Sequence, residues 1–219
     1  RHCLERATIW AALAGERDIL LHTGSSTSRR QATAPEQERH AQAPEGEPAS
    51  DLLIRERALN QARKLEYAPE ACARQGLNGQ ACRQAEQTAR LYRDACHRIG
   101  LSTKGRGSTD DLIKCLLVAF FDRVALRRNP ETLLCAMAGQ RRVELDPRSA
   151  ARQATAFIAL EIRELEARRE NNVRTTLSLA SAIDIAWLEE IHPQRISVDI
   201  ETTWNAEEQA VTQAEVHRY

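Results

Sequence analysis

The sequence is short of lysine, short of aromatic residues and without net charge. Only Lys64, Lys104 and Lys114 are lysines among 31 basic residues, and 31 acidic residues balance them. No global attraction to nucleic acid or to a membrane surface follows. Aromatic residues make up 4% of the chain, which limits platforms on which bases could stack. Trp187, Trp204 and Tyr219 read as core or interface residues. No apolar run of about 18 residues and no leader pattern occurs, which argues against secretion and a membrane span. The chain opens on Arg1 rather than Met, so a trimmed or excised piece is expected.

Motifs for self-contained chemistry are also missing. The pattern GxxxxGK[ST] is absent, so no loop of that type can cradle a nucleotide phosphate. Its nearest imitation, KGRGST at 104–109, lacks a preceding apolar strand and the Gly-Lys-Ser/Thr ending, and reads as a loop entering a helix. The six cysteines, Cys3, Cys72, Cys82, Cys96, Cys115 and Cys135, form no CxxC pair, so neither a zinc site nor a redox dithiol is indicated. Small buried thiols in a reducing cytoplasm are the expectation. Cys96 and His97 are adjacent on a helix, where side chains diverge by roughly 100 degrees, so the thiol has no base there. The other histidines have no HExxH-like spacing and read as solvated or locally bonded. Glu161, Glu164 and Glu166 read as the solvated face of a strand, with arginines nearby. The sequence thus offers no catalytic residue and no metal ligand set.

What is present is a change of period. Leu4 to Leu21 suits a helix packed on one side. Residues 23–48 are polar and rich in Pro, Gly and Ser, too poor in large apolar groups to offset the entropy of ordering, and read as a linker. Ser50 stands at an N-cap before Leu52, Leu53, Ala58, Leu59 and Ala62. Pro69 opens a short helix that Gly76 can stop. Asn78 begins a longer one whose stripe is Cys82, Ala85, Ala89, Tyr92, Cys96 and Ile99, with Arg83, Arg90 and Arg93 outside it. Ser108 and Asp111 make a capping-box start for the most apolar segment, LIKCLLVAFF, expected at the centre of the helical core. The run AFFDRVALRR is expected to end that helix, with Arg123 and Arg127 on one face by their spacing of four. Eleven Lys and Arg against five Asp and Glu between Arg74 and Arg128 permit a basic face there.

Beyond Pro130 the period falls to two. Ile158, Leu160 and Ile162, then Leu177 and Leu179, then Ile196, Val198 and Ile200 alternate with polar or small residues, as half-buried strands do. Gly139-Gln140 and Asn171-Asn172 suit tight turns. Asp184 to His192, ending at Pro193, reads as a short helix. The expected order is β-β-β-β-α-β-β, an α+β chain in which an N-terminal helical bundle precedes a small β-barrel with one inserted helix.

Several pieces in this order resemble a known family. RATIWAALAGERDIL carries Gly15, Glu16, Arg17 and Asp18; SDLLIRERALNQAR follows; then come Cys72, Gly76-Leu77, and a helix with Leu91, Tyr92, Arg93 and Asp94. AFFDRVALRR and DPRSA at 146–150 complete the series. Together they resemble the C-terminal region of the DEAH/RHA superfamily-2 helicases, most closely the bacterial HrpB-like branch. Phe121 stands where that family usually has Pro, and Asp146 where eukaryotic relatives have His.

The resemblance implies a partial ratchet region followed by an OB-like barrel. It divides the chain into the end of an upstream bundle (1–22), a linker (23–48), a ratchet-like domain (49–128) and an OB-like domain (129–219). It implies the cytoplasm, the RecA-like ATPase domains of the same protein as neighbours, and single-stranded RNA or DNA as ligand, with no membrane partner. ATP and Mg belong to the parent helicase, and this chain needs no cofactor of its own. Under it the contact residues are Arg123, Arg127, Arg128, Arg141 and Arg142; guanidinium groups suit bidentate phosphate contacts. The alternative is a non-catalytic protein-interaction or regulatory module of the same fold.

Overall fold

The computed structural model describes residues 3–21, 47–102, 105, 107–127, 129–137, 141–166, 173–205 and 209–218. They fall into two units, Arg1–Ile183 and Asp184–Tyr219. The expected linker and the turns at 139–140 and 171–172 lie almost wholly outside the described residues.

Among the described residues five helices begin the first unit: α1 (Leu4–Gly15), α2 (Asp51–Lys64), α3 (Pro69–Arg74), α4 (Gly79–Arg98) and α5 (Thr109–Ala119). Their starts follow capping chemistry. The Ser50 hydroxyl accepts from the Leu53 N–H at 3.3 Å, and Asn78 Oδ1 accepts from the Ala81 N–H at 3.1 Å. Ser108 and Asp111 cap reciprocally, at 3.0 and 2.9 Å. The bond from the Ser108 backbone holds the Asp111 carboxyl below its ordinary value. Ser108→Ala is expected to cost about 1 kcal/mol, read as a melting temperature lowered by roughly 3 °C. Past α3, Gly76 takes φ +69, the left-handed conformation that a helix stop favours.

The centre of the helical region is α2, not α5. It buries Asp51, Leu52, Leu53, Ile54, Glu56, Ala58, Leu59 and Ala62. The more apolar α5 buries only Leu112, Ile113 and Leu117 and exposes Cys115 and Val118. Hydropathy misleads here because the charges of α2 are consumed inside the fold. Arg55 grips Asp18 at 3.2 and 2.8 Å, and Glu56 accepts from Arg6 and Trp10. The α4 stripe is buried at Cys82, Ala85 and Ala89 but surfaces at Tyr92 and at Ile99, which is 74% exposed. The expected first helix is also shorter, stopping at Gly15; Leu20 instead forms a bridge with Leu77.

A closed five-stranded barrel follows: β1 (Val124–Arg127), β2 (Leu134–Met137), β3 (Arg141–Leu145), β4 (Ala156–Glu166) and β5 (Val173–Ala182), in the order β1-β2-β3-β5-β4. Neighbours run antiparallel except β3 and β5, which pair in parallel at Glu144↔Thr176 and Leu145↔Leu177. Ala125, Cys135, Met137, Val143, Leu145, Phe157, Ala159, Leu177 and Ala180 fill the interior. Alanines at three of these positions leave room for the ring of Phe157 in a narrow barrel.

The strand β1 lies inside AFFDRVALRR, where a helix end was expected. The helix stops at Ala119, Phe121–Arg123 make one 3-10 turn, and Val124–Arg127 extend between β2 and β4. Pairing on both edges overrides the local preference of a four-residue segment. Farther on, Leu179 takes φ +51 and the β4–β5 ladder skips it. Beyond it the free edge of β5 meets the segment leading into α2, where the Ala182 N–H donates to the Ala49 carbonyl at 2.8 Å.

The second unit holds α6 (Ala186–Ile191) and an antiparallel hairpin, β6 (Ser197–Asn205) and β7 (Ala210–Arg218). The expected helix and the two strands after it are present. The two strands pair only with each other among the described residues, so the barrel closes without them. Arg218 bonds Asp199 and Glu201 on one face. Trp204, expected in a core or interface, is 63% exposed. No described helix is long and apolar enough to cross a membrane.

Candidate nucleic-acid interface

Of the five candidate arginines, the side chains of Arg123, Arg127 and Arg142 are described, and they stand in a 3-10 turn, at the end of β1 and on β3. Arg123, in the 3-10 turn, donates from Nη1 to the Leu160 carbonyl and lies over the Phe120 ring, 5.1 Å from its centroid. Arg127 ends β1 and is 8% exposed. Its Nη1 donates to the Arg152 carbonyl and its backbone N–H to the Thr155 carbonyl at 2.8 Å. The expected shared helical face is thus replaced by a turn and a strand, and both guanidinium groups are engaged by main-chain oxygens.

Arg128 and the side chain of Arg141 lie outside the described residues; the Arg141 backbone opposes Met137 at the start of β3. Arg142 opposes Ala136, which opposes Leu126. It is exposed on the outward face of the β2–β3 hairpin, with Leu134 and Glu144 one row away. An exposed guanidinium beside small apolar groups can meet a phosphate without first losing a buried partner.

The residues that carry the motifs have a different office, and reading the sequence missed it. Glu16 accepts from the Thr88 hydroxyl at 2.7 Å, and Asp18 holds Arg55. Asp146 holds Arg148 at 2.9 Å within the turn after β3. Asp51, the first residue of α2, is 5% exposed and accepts from Ser149 Oγ at 2.9 Å, the Ala150 N–H at 2.7 Å and the Ala180 N–H at 2.8 Å. Burial pushes its carboxyl above the ordinary value despite these donors. One side chain therefore joins helix, turn and barrel. The available signal was an unusual density of charge on a helix that also carries Leu52, Leu53 and Leu59.

Two hollows accompany these contacts. A groove between α1 and α5 is lined chiefly by Ala7, Trp10, Ala11, Cys115, Phe120 and Leu160, with Arg123 at its edge. A polar hollow is bordered by Glu16, Arg17, Asn78 and Gln84. Among the described residues no group of three His, Cys, Asp or Glu could hold a metal ion.

Among solved structures, the chain is similar to the crystal structure of the E. coli DExH-box NTPase HrpB. The likeness has a TM-score of 0.42 at 21% identity and covers 61% of this chain and 16% of that one. No family model and no curated protein matches the chain.

Proposed function

We propose that this chain is the accessory region of an ATP-dependent nucleic-acid helicase, guiding a single strand while ATPase domains elsewhere in the protein drive unwinding. The observation that carries the reading is the barrel's closure order, β1-β2-β3-β5-β4 with parallel β3 and β5. We take this as an OB-type barrel, a fold whose β2–β3 face and adjoining loops bind oligonucleotides. On that face stands Arg142. The arrangement of the motif residues around α2 supports the same family resemblance, since they bind helices and barrel into one piece.

The five arginines then divide into two roles. Arg142 meets the phosphates, with Arg128 and Arg141 as further candidates from the sequence; Arg123 and Arg127 brace the strand that carries this edge. With no phosphate-cradling loop in the sequence, the 219-residue chain alone is expected to show no nucleic-acid-stimulated ATP hydrolysis.

Fluorescence anisotropy with a labelled single strand tests the reading. Binding should weaken steeply with salt, and Arg142→Ala should reduce affinity several-fold and the salt slope by about one. Absence of binding at low salt would favour a protein-interaction module instead.

A further inference from the structure

The hairpin β6–β7 carries an apolar face open to solvent. Val198, Ile200 and Trp204 alternate along β6, and Val211 stands opposite Trp204, so all four lie on one side of the hairpin. Each is more than half exposed. Two strands alone are marginal in water, and a third strand or a packed helix is what makes such a sheet stable. Among the described residues β6 and β7 pair only with each other, which leaves one edge of β6 open.

Charge decides what can pair with that edge. Asp199 and Glu201 lie on the opposite side of β6 and share a single cation, Arg218. Over residues 184–219 eight Asp and Glu stand against two Arg, a net charge of −6, whereas residues 1–183 hold 29 basic against 23 acidic groups. A nucleic-acid strand is repelled from such a surface. A second copy is disfavoured at this edge as well, because pairing β6 with its own antiparallel image sets acidic side chains against acidic side chains. A strand of opposite charge meets neither obstacle.

We propose that the open edge of β6 is a docking site for a strand of a basic partner protein, one in which Lys or Arg alternates with Val, Ile or Leu. A strand added there meets the outward N–H and C=O groups of β6 with main-chain hydrogen bonds. Its apolar residues continue the row of Val198, Ile200 and Trp204, and its cations fall beside Asp199 and Glu201 on the other side. Main-chain pairing supplies the affinity, and the alternation of charge with apolar groups supplies the selection.

The test uses the whole 219-residue chain and a fluorescein-labelled synthetic peptide of alternating Lys and Val. Fluorescence anisotropy should show binding that weakens with salt, and the same peptide with Glu for every Lys should not bind. Glu201→Lys should lower the affinity roughly fivefold, because an attraction across the strands becomes a repulsion. Ile200→Ser should lower it several-fold, and both positions are exposed, so the melting temperature should stay near the parent's. Glu70→Lys makes the same charge change on an exposed position of α3 and should leave the affinity unchanged. On binding, hydrogen exchange should slow at the β6 amides that face away from β7. Equal losses in Glu70→Lys and Glu201→Lys, or binding without slower exchange in β6, would overturn the proposal, since the contact would then be a general attraction to negative charge. No binding at low salt would overturn it too, as would a dimer seen by sedimentation that Ile200→Ser abolishes, because a second copy would then hold the face. None of these readouts passes through Arg142 or a nucleic acid, so this proposal and the nucleic-acid reading fail separately.

Discussion

Asp51→Ala is expected to lower the unfolding free energy by about 3–5 kcal/mol, a large share of what a domain of this size has. Among the described residues the carboxylate is the acceptor for three buried or half-buried donors: Ser149 Oγ, the Ala150 N–H and the Ala180 N–H. Alanine leaves all three unmet, and each buried unmet donor costs about 1–3 kcal/mol. Asn retains one acceptor but directs an amide N–H₂ at the remaining donors, so Asp51→Asn should fall between alanine and the parent. Urea denaturation reads both. The pH profile adds a separate check. Because burial outweighs the donors, the folded-state pKa is raised above the ordinary 3.8. The stability tied to this ionisation is then full below that value and is lost as pH rises through the folded pKa. Relative to Asp51→Asn, which does not titrate, the parent should lose stability as pH climbs from about 4. A parent that gained stability over that window would show that the three donors outweigh burial.

The fold was legible where local chemistry decides and obscure where pairing decides. Ser50, Asn78 and the Ser108–Asp111 box each start a helix where the sequence places one, because a cap is a bond between residues three apart, and Pro69 does so through its fixed φ at the first helical position. β1 was obscure because nothing within VALR distinguishes it from a helix end; its partners Cys135–Met137 and Ala156–Ile158 are decisive and lie far along the chain. The position of α5 was misjudged by equating apolar content with centrality. A helix can be central and charged when its ions find partners, as Arg55 and Glu56 do. The sequence named the candidate arginines as a set and not as an arrangement. Spacing on an assumed helix joined Arg123 to Arg127, whereas a turn followed by a strand sends each to a different carbonyl. Arg142 needed only a period of two to be placed on an outward face.

Glu56→Ala is expected to cost about 3 kcal/mol, because a single buried carboxylate serves two partners, of which the tryptophan has nowhere else to turn. Arg6 donates to it from Nε and Nη2 at 2.8 and 2.9 Å, and the Trp10 indole N–H at 2.7 Å. Trp10 is 2% exposed, so its N–H cannot recover a bond from water. Arg6 is partly exposed and keeps bonds of 3.2 Å to the Gly107 carbonyl and Thr109 Oγ1, which hold α1 against the start of α5. Glu56→Gln separates the two contributions. Gln still accepts from the indole but gives up the charge facing Arg6. If Glu56→Gln is as damaging as Glu56→Ala, the ion pair carries the stability. If it lies near the parent, the tryptophan bond does. A double-mutant cycle with Arg6→Ala should return a coupling of about 1–3 kcal/mol, since the pair is bidentate and largely screened from water. A coupling near zero would mean that Arg6 is held mainly by Gly107 and Thr109, and that α1 is anchored through the loop before α5 rather than through α2.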